Sequence, residues 1–533
     1  MIPFPNLRTL RPEELGLILG VLAVAFTTAY VLIARPIYNV FFHPLKKYPG
    51  PKLWAATRLP YAFAFASGRS SYILLALHSR YGDIVRVAPD ELSFVRPDAW
   101  KEIMGHRKSG QHENGKDPIF YASSQRSIVG SPKEEHSHAR RILSHGFSAK
   151  RMLEQQPLIR KYVDLLFRRL REKSANGTQA LDITSWYNYT TFDIIGDLAF
   201  GEPFDCLESS TMHPWVELIF NNVKQSGLLT ACRYIFHNID QVVAALFPSA
   251  VAARTQHQSL VKAKVAKRLN MVMERPDFMD SMARKDKGNL TLEQIEENSD
   301  VLIIAGSETT ATVLSFVTYL LCKDSRVMAK VTDEVRSKFK SEDEIDMTHV
   351  QSLKYMLAVL DESMRMFPAV PAVLPRRTPP QGQILELGKT VLSIYQWTMY
   401  HHAGNFARPD DFVPERWLEG ADPVFCNDKK AAFNPFSYGS RDCIGKNLAY
   451  SEMRMILARM LFNFEITLDE RCRNWAVDMP IYTLWEKPPI LAYSEMRLIM
   501  ACIVWNFDFA LAPDMEDWYD RCMMYGVWDT RGS

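Results

Sequence analysis

The sequence predicts a mainly α-helical body with small β-sheets, preceded by a single N-terminal transmembrane helix. Three observations carry this. Residues 15–34, LGLILGVLAVAFTTAYVLIA, hold no charge. Long stretches downstream space their apolar residues as a helix with one buried face requires. Strand-like runs are few, and most are only about four residues long.

The uncharged run comes first in the chain. As a helix it spans roughly 30 Å, the thickness of a bilayer core. Arg8, Arg11, Glu13 and Glu14 flank it on one side, and Arg35, Lys46 and Lys47 on the other. A cleaved signal peptide would have a shorter apolar region ending at a small-residue cleavage site, and no clean one follows. A core helix is disfavoured by the nearby terminus and by Pro36 directly after the run. Basic residues beyond the span favour a body on the cytoplasmic side. The expected organisation is an anchor over 1–35, a stiff Pro-rich linker over 36–51 (HPLKKYPGP at its centre) and one large domain over 52–490.

Within that domain, residues 84–87 and 92–95 read as strands separated by Pro89-Asp90. Helical spacing covers residues 140–147, 152–170, 184–198, 292–321, 327–339 and 352–366. A strand-rich stretch runs over 372–394, and irregular, Pro-rich and aromatic chain over 400–436. The 533 residues exceed one ordinary domain, yet no second boundary appears. Net charge is +2, so no global field points to nucleic acid. Eight widely spread cysteines, none in CxxC spacing, argue for reduced thiols facing the cytosol and against zinc fingers.

The strongest chemical signal is Phe436-Ser437-Tyr438-Gly439-Ser440-Arg441-Asp442-Cys443-Ile444-Gly445. A cysteine thiolate that ligates iron needs a tight loop, which Gly439 and Gly445 permit, and donors near the sulfur. A helix opening after Cys443 aims its N-terminal dipole at the thiolate. The segment resembles the haem-binding signature of the cytochrome P-450 family, FxxGxRxCxG, with every fixed position matched. The resemblance implies the cytochrome P-450 fold, haem b (iron protoporphyrin IX) as cofactor, Cys443 as axial iron ligand, and Phe436, Gly439 and Arg441 as parts of the cofactor site.

Other segments extend the resemblance. Ala305-Gly306-Ser307-Glu308-Thr309-Thr310 lies in the apolar helix and resembles the family's oxygen-activation segment. By itself, a Gly followed by hydroxyl residues would loosen the helix and free a backbone carbonyl. The match implies that Thr309 and Glu308 deliver protons. Glu362 and Arg365, at i and i+3, would by themselves be an ordinary helix pair. With Arg416 they match the family's buried Glu-Arg-Arg cluster, a structural role. His136 and Arg140 match a Trp and an Arg four apart, with His136 standing where Trp is usual. Arg140 and Arg376 would join Arg441 as partners of the haem propionates.

The implied activity is that of a monooxygenase oxidising a lipophilic small molecule. The stretches HPLKKYPGPKLWAATR and FARPDDFVPERW look like those of filamentous-fungal secondary-metabolism members, suggesting a terpenoid, polyketide or alkaloid substrate. Substrate-facing chain would come from near Phe120 and Phe220 and from residues 301–305 and 369–374. No strand-to-helix G-x-G-x-x-G fingerprint occurs and no length remains for flavin domains. NADPH and flavins would therefore act through a separate NADPH-cytochrome P-450 reductase, with cytochrome b5 as a further partner, at the endoplasmic reticulum membrane. Lys429, Lys430, Arg441 and Lys446 are either the basic docking face for that reductase or an ordinary scatter of solvated charge. The competing classes are a reductase-independent haem-thiolate isomerase or dehydratase, against which the Glu308-Thr309 pair argues, and a non-catalytic haem or lipid binder.

The C-terminus carries an internal repeat. LAYSEMR occurs at 448–454 and again at 491–497, and the alignment continues through Asn463-Phe464/Asn506-Phe507, Trp475/Trp518, Tyr482/Tyr525 and Trp485/Trp528. Residues 491–533 are thus a diverged copy of 448–490, lacking a preceding haem loop. The copy has no place of its own in the family pattern. Truncation after Pro489 is expected to leave haem binding intact.

Overall fold

A computed structural model describes residues 12–107, 112–236, 239–271, 277–283, 290–380, 388–496, 523–524 and 528–529. Arg8, Arg11 and most of the second repeat copy lie outside these residues.

Helix α1 (Pro12–Ala29) passes through a π-helical turn (Tyr30–Ala34) into α2 (Arg35–Phe41). Pro36 therefore does not stop the helix. It sits in the first turn of α2, where its missing N–H costs least, and the wider π turn just before it takes up the change of register. Among the described residues, two helices are long and apolar enough to cross a membrane. Of residues 19–41 none of the tested window is buried, whereas the window in Leu292–Lys323 is 72% buried. The first fits an anchor; the second is a core helix. The segment expected as a linker is helical to Phe41 and tied to the body: Asn39 donates from Nδ2 to Ala56 O at 2.9 Å, and Arg86 Nη1 donates to Asn39 O at 2.9 Å.

The body is built around that core helix. In order, its principal helices are α3 (Lys133–Leu143), α4 (Ala149–Lys173), α5 (Ile183–Phe200), α6 (Pro214–Ile235), α7 (Pro248–Leu269), α8 (Leu292–Lys323), α9 (Lys354–Met366) and α10 (Lys446–Asn463). A capping box starts α8: Thr291 Oγ1 accepts from Gln294 N at 3.2 Å, and Gln294 Oε1 accepts from Thr291 N at 3.0 Å. Helix α8 keeps its many hydroxyls buried by turning them onto its own backbone. Ser307, Thr309, Ser315 and Thr318 each donate to the carbonyl four residues back. Helices α5 and α10 pack against it, and the largest apolar core lies among α4, α5, α8 and α10.

Among the described residues, two larger sheets flank the helices, and a third pairs only Met523–Met524 with Trp528–Asp529. The first has the order β1-β2-β6-β5-β3, from β1 (Ile84–Ala88), β2 (Glu91–Phe94), β3 (Gly115–Lys116), β5 (Arg376–Arg377) and β6 (Val391–Ser393). β2 and β6 run parallel and the other neighbours antiparallel. The strand-rich expectation over 372–394 thus reduces to two short strands, with 381–387 outside the described residues. The second sheet is antiparallel, in the order β4 (Leu181–Asp182), β8 (Leu491–Met496), β7 (Phe464–Leu468).

Strand β8 begins at Leu491, the first residue beyond the boundary expected at 490. The first six residues of the second repeat copy form the middle strand of this sheet, so they lie inside the body. The same LAYSEM opens helix α10 in the first copy. Context decides between the two. The first copy follows Gly445-Lys446-Asn447, which leaves the backbone free to enter a helix. The second follows Pro488-Pro489, which holds the preceding chain extended beside the open edges of β4 and β7.

Candidate active site

Cys443 is presented by a loop wound against the end of a short helical turn near residue 104. Its N–H donates to Phe436 O at 2.9 Å, and Asp442 N donates to Gly439 O at 3.2 Å, which closes the loop. Gly439 has φ +85°, and a Cβ there would stand 2.0 Å from Met104 O, so only glycine fits. Helix α10 then opens at Lys446. Phe436 packs on Tyr450 of that helix with ring centroids 5.1 Å apart.

Cys443 is solvent-accessible although it sits among packed elements. Burial raises its thiol above the ordinary range, while the Gly445 N–H, Arg140 and Lys446 pull the other way. Ala305, midway along the buried helix α8, is likewise accessible, and Thr309 next to it is half-buried. Accessible residues among packed elements mark space there, on the Cys443 loop and on α8, which packs against the helix that follows the loop.

Beside the loop lies an excess of positive charge. His136 is buried and held neutral, its pKa lowered to about 3 by burial and by Arg441, Arg140, Lys116 and Arg376 around it. Arg140 is matched by Asp442 at 2.5 Å, and Arg441 by Glu113 at 2.6 Å. The remaining two cations have no carboxylate partner among the described residues. Buried Arg376 donates from Nε to Met104 Sδ at 3.2 Å, and its pKa falls to about 10, chiefly through burial. Lys116 reaches only Tyr121 OH at 3.3 Å, and burial with Arg376 and Arg441 pushes its pKa well down. β3 and β5 pair Lys116 directly with Arg376. Lys116 and Arg441 also line a cleft of about 1160 Å³ bounded by Tyr121, Ser131, Thr291 and Arg377.

Two unmatched cations beside an accessible thiol fit a group that brings a soft-ligand metal and two carboxylates, as haem does. Lys116 and Glu113 were not foreseen from the sequence. Nothing local marks them, because strand pairing alone brings Lys116 to Arg376. Arg441, with a side chain 3% exposed and matched by Glu113, drops out of the expected docking face. Lys429, Lys430 and Lys446 are exposed.

The Glu-Arg-Arg residues meet in a fully buried cluster. Arg365 donates to both Glu362 oxygens at 2.9 Å, and Arg416 Nε to Oε1 at 3.0 Å. Two further partners complete it: Asp428 accepts from Arg416 at 2.7 Å, and Trp417 Nε1 donates to Glu362 at 2.9 Å.

The oxygen-activation segment differs from expectation in two ways. Helix α8 is regular through Gly306, whose missing Cβ makes room for Ile195 of α5 instead of loosening the turn. The Ala305 carbonyl is not free, because Thr309 Oγ1 donates to it at 2.7 Å. Glu308 is buried and ion-pairs with Lys487. Of the expected substrate-facing chain, Phe120 is half-buried against Phe65, and residues 369–374 are buried or half-buried. The side chain of Phe220 lies outside the described residues.

Comparison with known proteins agrees with this geometry. The Cytochrome P450 family model matches residues 51–491. The trichothecene C-15 hydroxylase of Fusarium sporotrichioides is 44% identical over 86% of this chain and 94% of its own length. The cytochrome P450 monooxygenase astA of Talaromyces wortmannii is 41% identical over 89% and 96%, and tpeC of Talaromyces stipitatus 41% over 88% and 93%. The chain therefore belongs to the cytochrome P450 family, as a haem-dependent monooxygenase.

Proposed function

We propose that this chain hydroxylates, or otherwise oxidises, a lipophilic fungal secondary metabolite of terpenoid, polyketide or alkaloid type. The observation that carries the reading is the accessible Cys443 beside the two unmatched cations, Arg376 and Lys116. Family membership implies a redox partner and a small-molecule substrate. We take the partner to be an NADPH-dependent flavoprotein reductase, with cytochrome b5 as a second donor. Lys429, Lys430 and Lys446 are the exposed cations nearest the Cys443 loop in sequence. The anchor helix would place the body on the cytosolic face of the endoplasmic reticulum membrane.

Bound through a cysteine thiolate, haem supplies reductive activation of dioxygen and transfer of one oxygen atom to a C–H bond. The chain's own residues do the rest. Cys443 would hold the iron as a thiolate despite the burial that raises its thiol, with the Gly445 N–H and the N-terminus of α10 supporting the negative sulfur. Arg376 and Lys116, with Arg140 and Arg441, would hold the two propionates. Thr309 and Glu308 would hold and pass protons above the ring. Residues 301–305 and 369–374, almost wholly apolar, would orient the substrate and exclude water.

A spectral titration against a panel of fungal terpenoids, polyketides and alkaloids tests the substrate class. At least one lipophilic ligand should shift the haem spectrum and then be oxidised only with NADPH, reductase and dioxygen present. Turnover without NADPH or dioxygen would contradict the monooxygenase reading.

A further inference from the structure

The proton-delivery role assigned to Glu308 leaves open what holds this carboxylate in place inside α8. Glu308 is 4% exposed. Its Oε1 meets the Lys487 ammonium and accepts from Thr312 Oγ1 at 3.3 Å, while Lys487 Nζ also donates to Thr312 Oγ1 at 2.7 Å. The Lys487 side chain is 4% exposed. The other Glu308 oxygen, Oε2, is buried and has no hydrogen-bond partner among the described residues.

Lys487 comes from far away in the chain, on a loop fixed at several points. Trp485 packs on Phe316 of α8 and donates from Nε1 to Pro368 O at 2.8 Å. Glu486 N donates to Pro480 O at 3.0 Å, and Ile481 N to Gly68 O at 2.8 Å. Glu486, Pro488 and Pro489 are exposed, so the loop runs on the surface while Trp485 and Lys487 reach inward to α8. Burying two charges is costly unless they meet in good geometry, and here a third group, Thr312, shares the contact.

We propose that Lys487 is the positioning residue of the Glu308 carboxylate. With Thr312 it fixes Oε1, which leaves Oε2 as the one oxygen free to accept a proton and hand it on toward Thr309. This rests on the reading of Glu308 as a proton carrier, and it adds that the carrier is held by a residue 179 positions later in the chain.

The test uses full-length holoprotein reconstituted with an NADPH-dependent flavoprotein reductase, without substrate. NADPH consumption and peroxide release are measured in H2O and D2O, together with the thermal midpoint. Glu308→Gln should slow NADPH consumption about tenfold or more. Lys487→Met should slow it at least about threefold and enlarge the solvent isotope effect, and Lys487→Arg should restore both. The double variant Lys487→Met/Glu308→Gln, which strands no charge, should match Glu308→Gln alone and melt above Lys487→Met. If Lys487→Met does not fold, the arginine and double variants carry the same comparison. A normal rate and isotope effect in Lys487→Met beside a slow Glu308→Gln would overturn the role of Lys487 and leave that of Glu308 standing. Effects that multiply in the double variant would also overturn it. A normal rate in Glu308→Gln would remove the proton-carrier reading itself, and the positioning role with it.

Discussion

Arg365 and Arg416 approach Glu362 from two sides, and all three side chains are fully buried. Removing one cation strands the others' charge where no water can compensate it. Arg365→Ala should therefore cost roughly 3–5 kcal/mol and yield little haem-loaded protein, as read by the haem-to-protein absorbance ratio. A well-loaded, stable variant would contradict the structural role. The unmatched cations act differently. Arg376→Gln and Lys116→Gln each remove a charge that burial disfavours in the haem-free chain. Each should leave the haem-free protein as stable or more stable while speeding haem loss to a myoglobin acceptor. Unchanged haem loss in both would exclude them as propionate partners. At this scale the sequence was informative where chemistry is local. The ten residues around Cys443 form a pattern that stands on its own spacing, whereas Glu362, Arg365, Arg416 and Arg140 were picked out only through the family resemblance. Lys116, Glu113, Asp428 and Lys487 could not be picked out, because strand pairing and long-range loops bring them to their partners.

At the scale of elements, the repeated heptapeptide separates local preference from context. LAYSEM is helical after Cys443 and a strand after Pro488-Pro489. The sequence marked the second copy as extra, and it could not foresee that two short strands offered it open edges. Strand β8 sits between β4 and β7, with Ala492 and Ser494 buried. The expectation that truncation after Pro489 is harmless therefore needs revision. That cut removes the middle strand, at roughly 1 kcal/mol for each ladder hydrogen bond lost, and should lower the thermal midpoint and haem content. A cut after Arg497 should keep both near the full-length values. Equal behaviour of the two truncations would show that β8 is not structural. Long core helices were legible, α8 to within two residues of its end, because one face is continuously apolar. Helices α6 and α7 were not picked out. Between and beside them Phe236, Leu246 and Phe247 stay exposed, so the apolar pattern there does not trace a buried face. The start of α3 was placed seven residues late, since the polar run Lys133-Glu134-Glu135 opens the helix by its charge and not by apolar spacing.

For the whole molecule, one contrast organises the account. The apolar window of the N-terminal helix is unburied, while the nearly as apolar α8 is the centre of the body. Around α8 the fold gathers an accessible Cys443 loop and, beside that loop, a group of cations. The central claim is that Cys443 ligates haem as a thiolate. The most direct measurement is the carbon monoxide difference spectrum of the reduced holoprotein and of Cys443→Ala. The account predicts the strongly red-shifted, thiolate-type band in the unaltered protein and its complete loss in Cys443→Ala. A Cys443→Ala protein that keeps the band, or an unaltered, properly loaded protein that never shows it, would contradict the account.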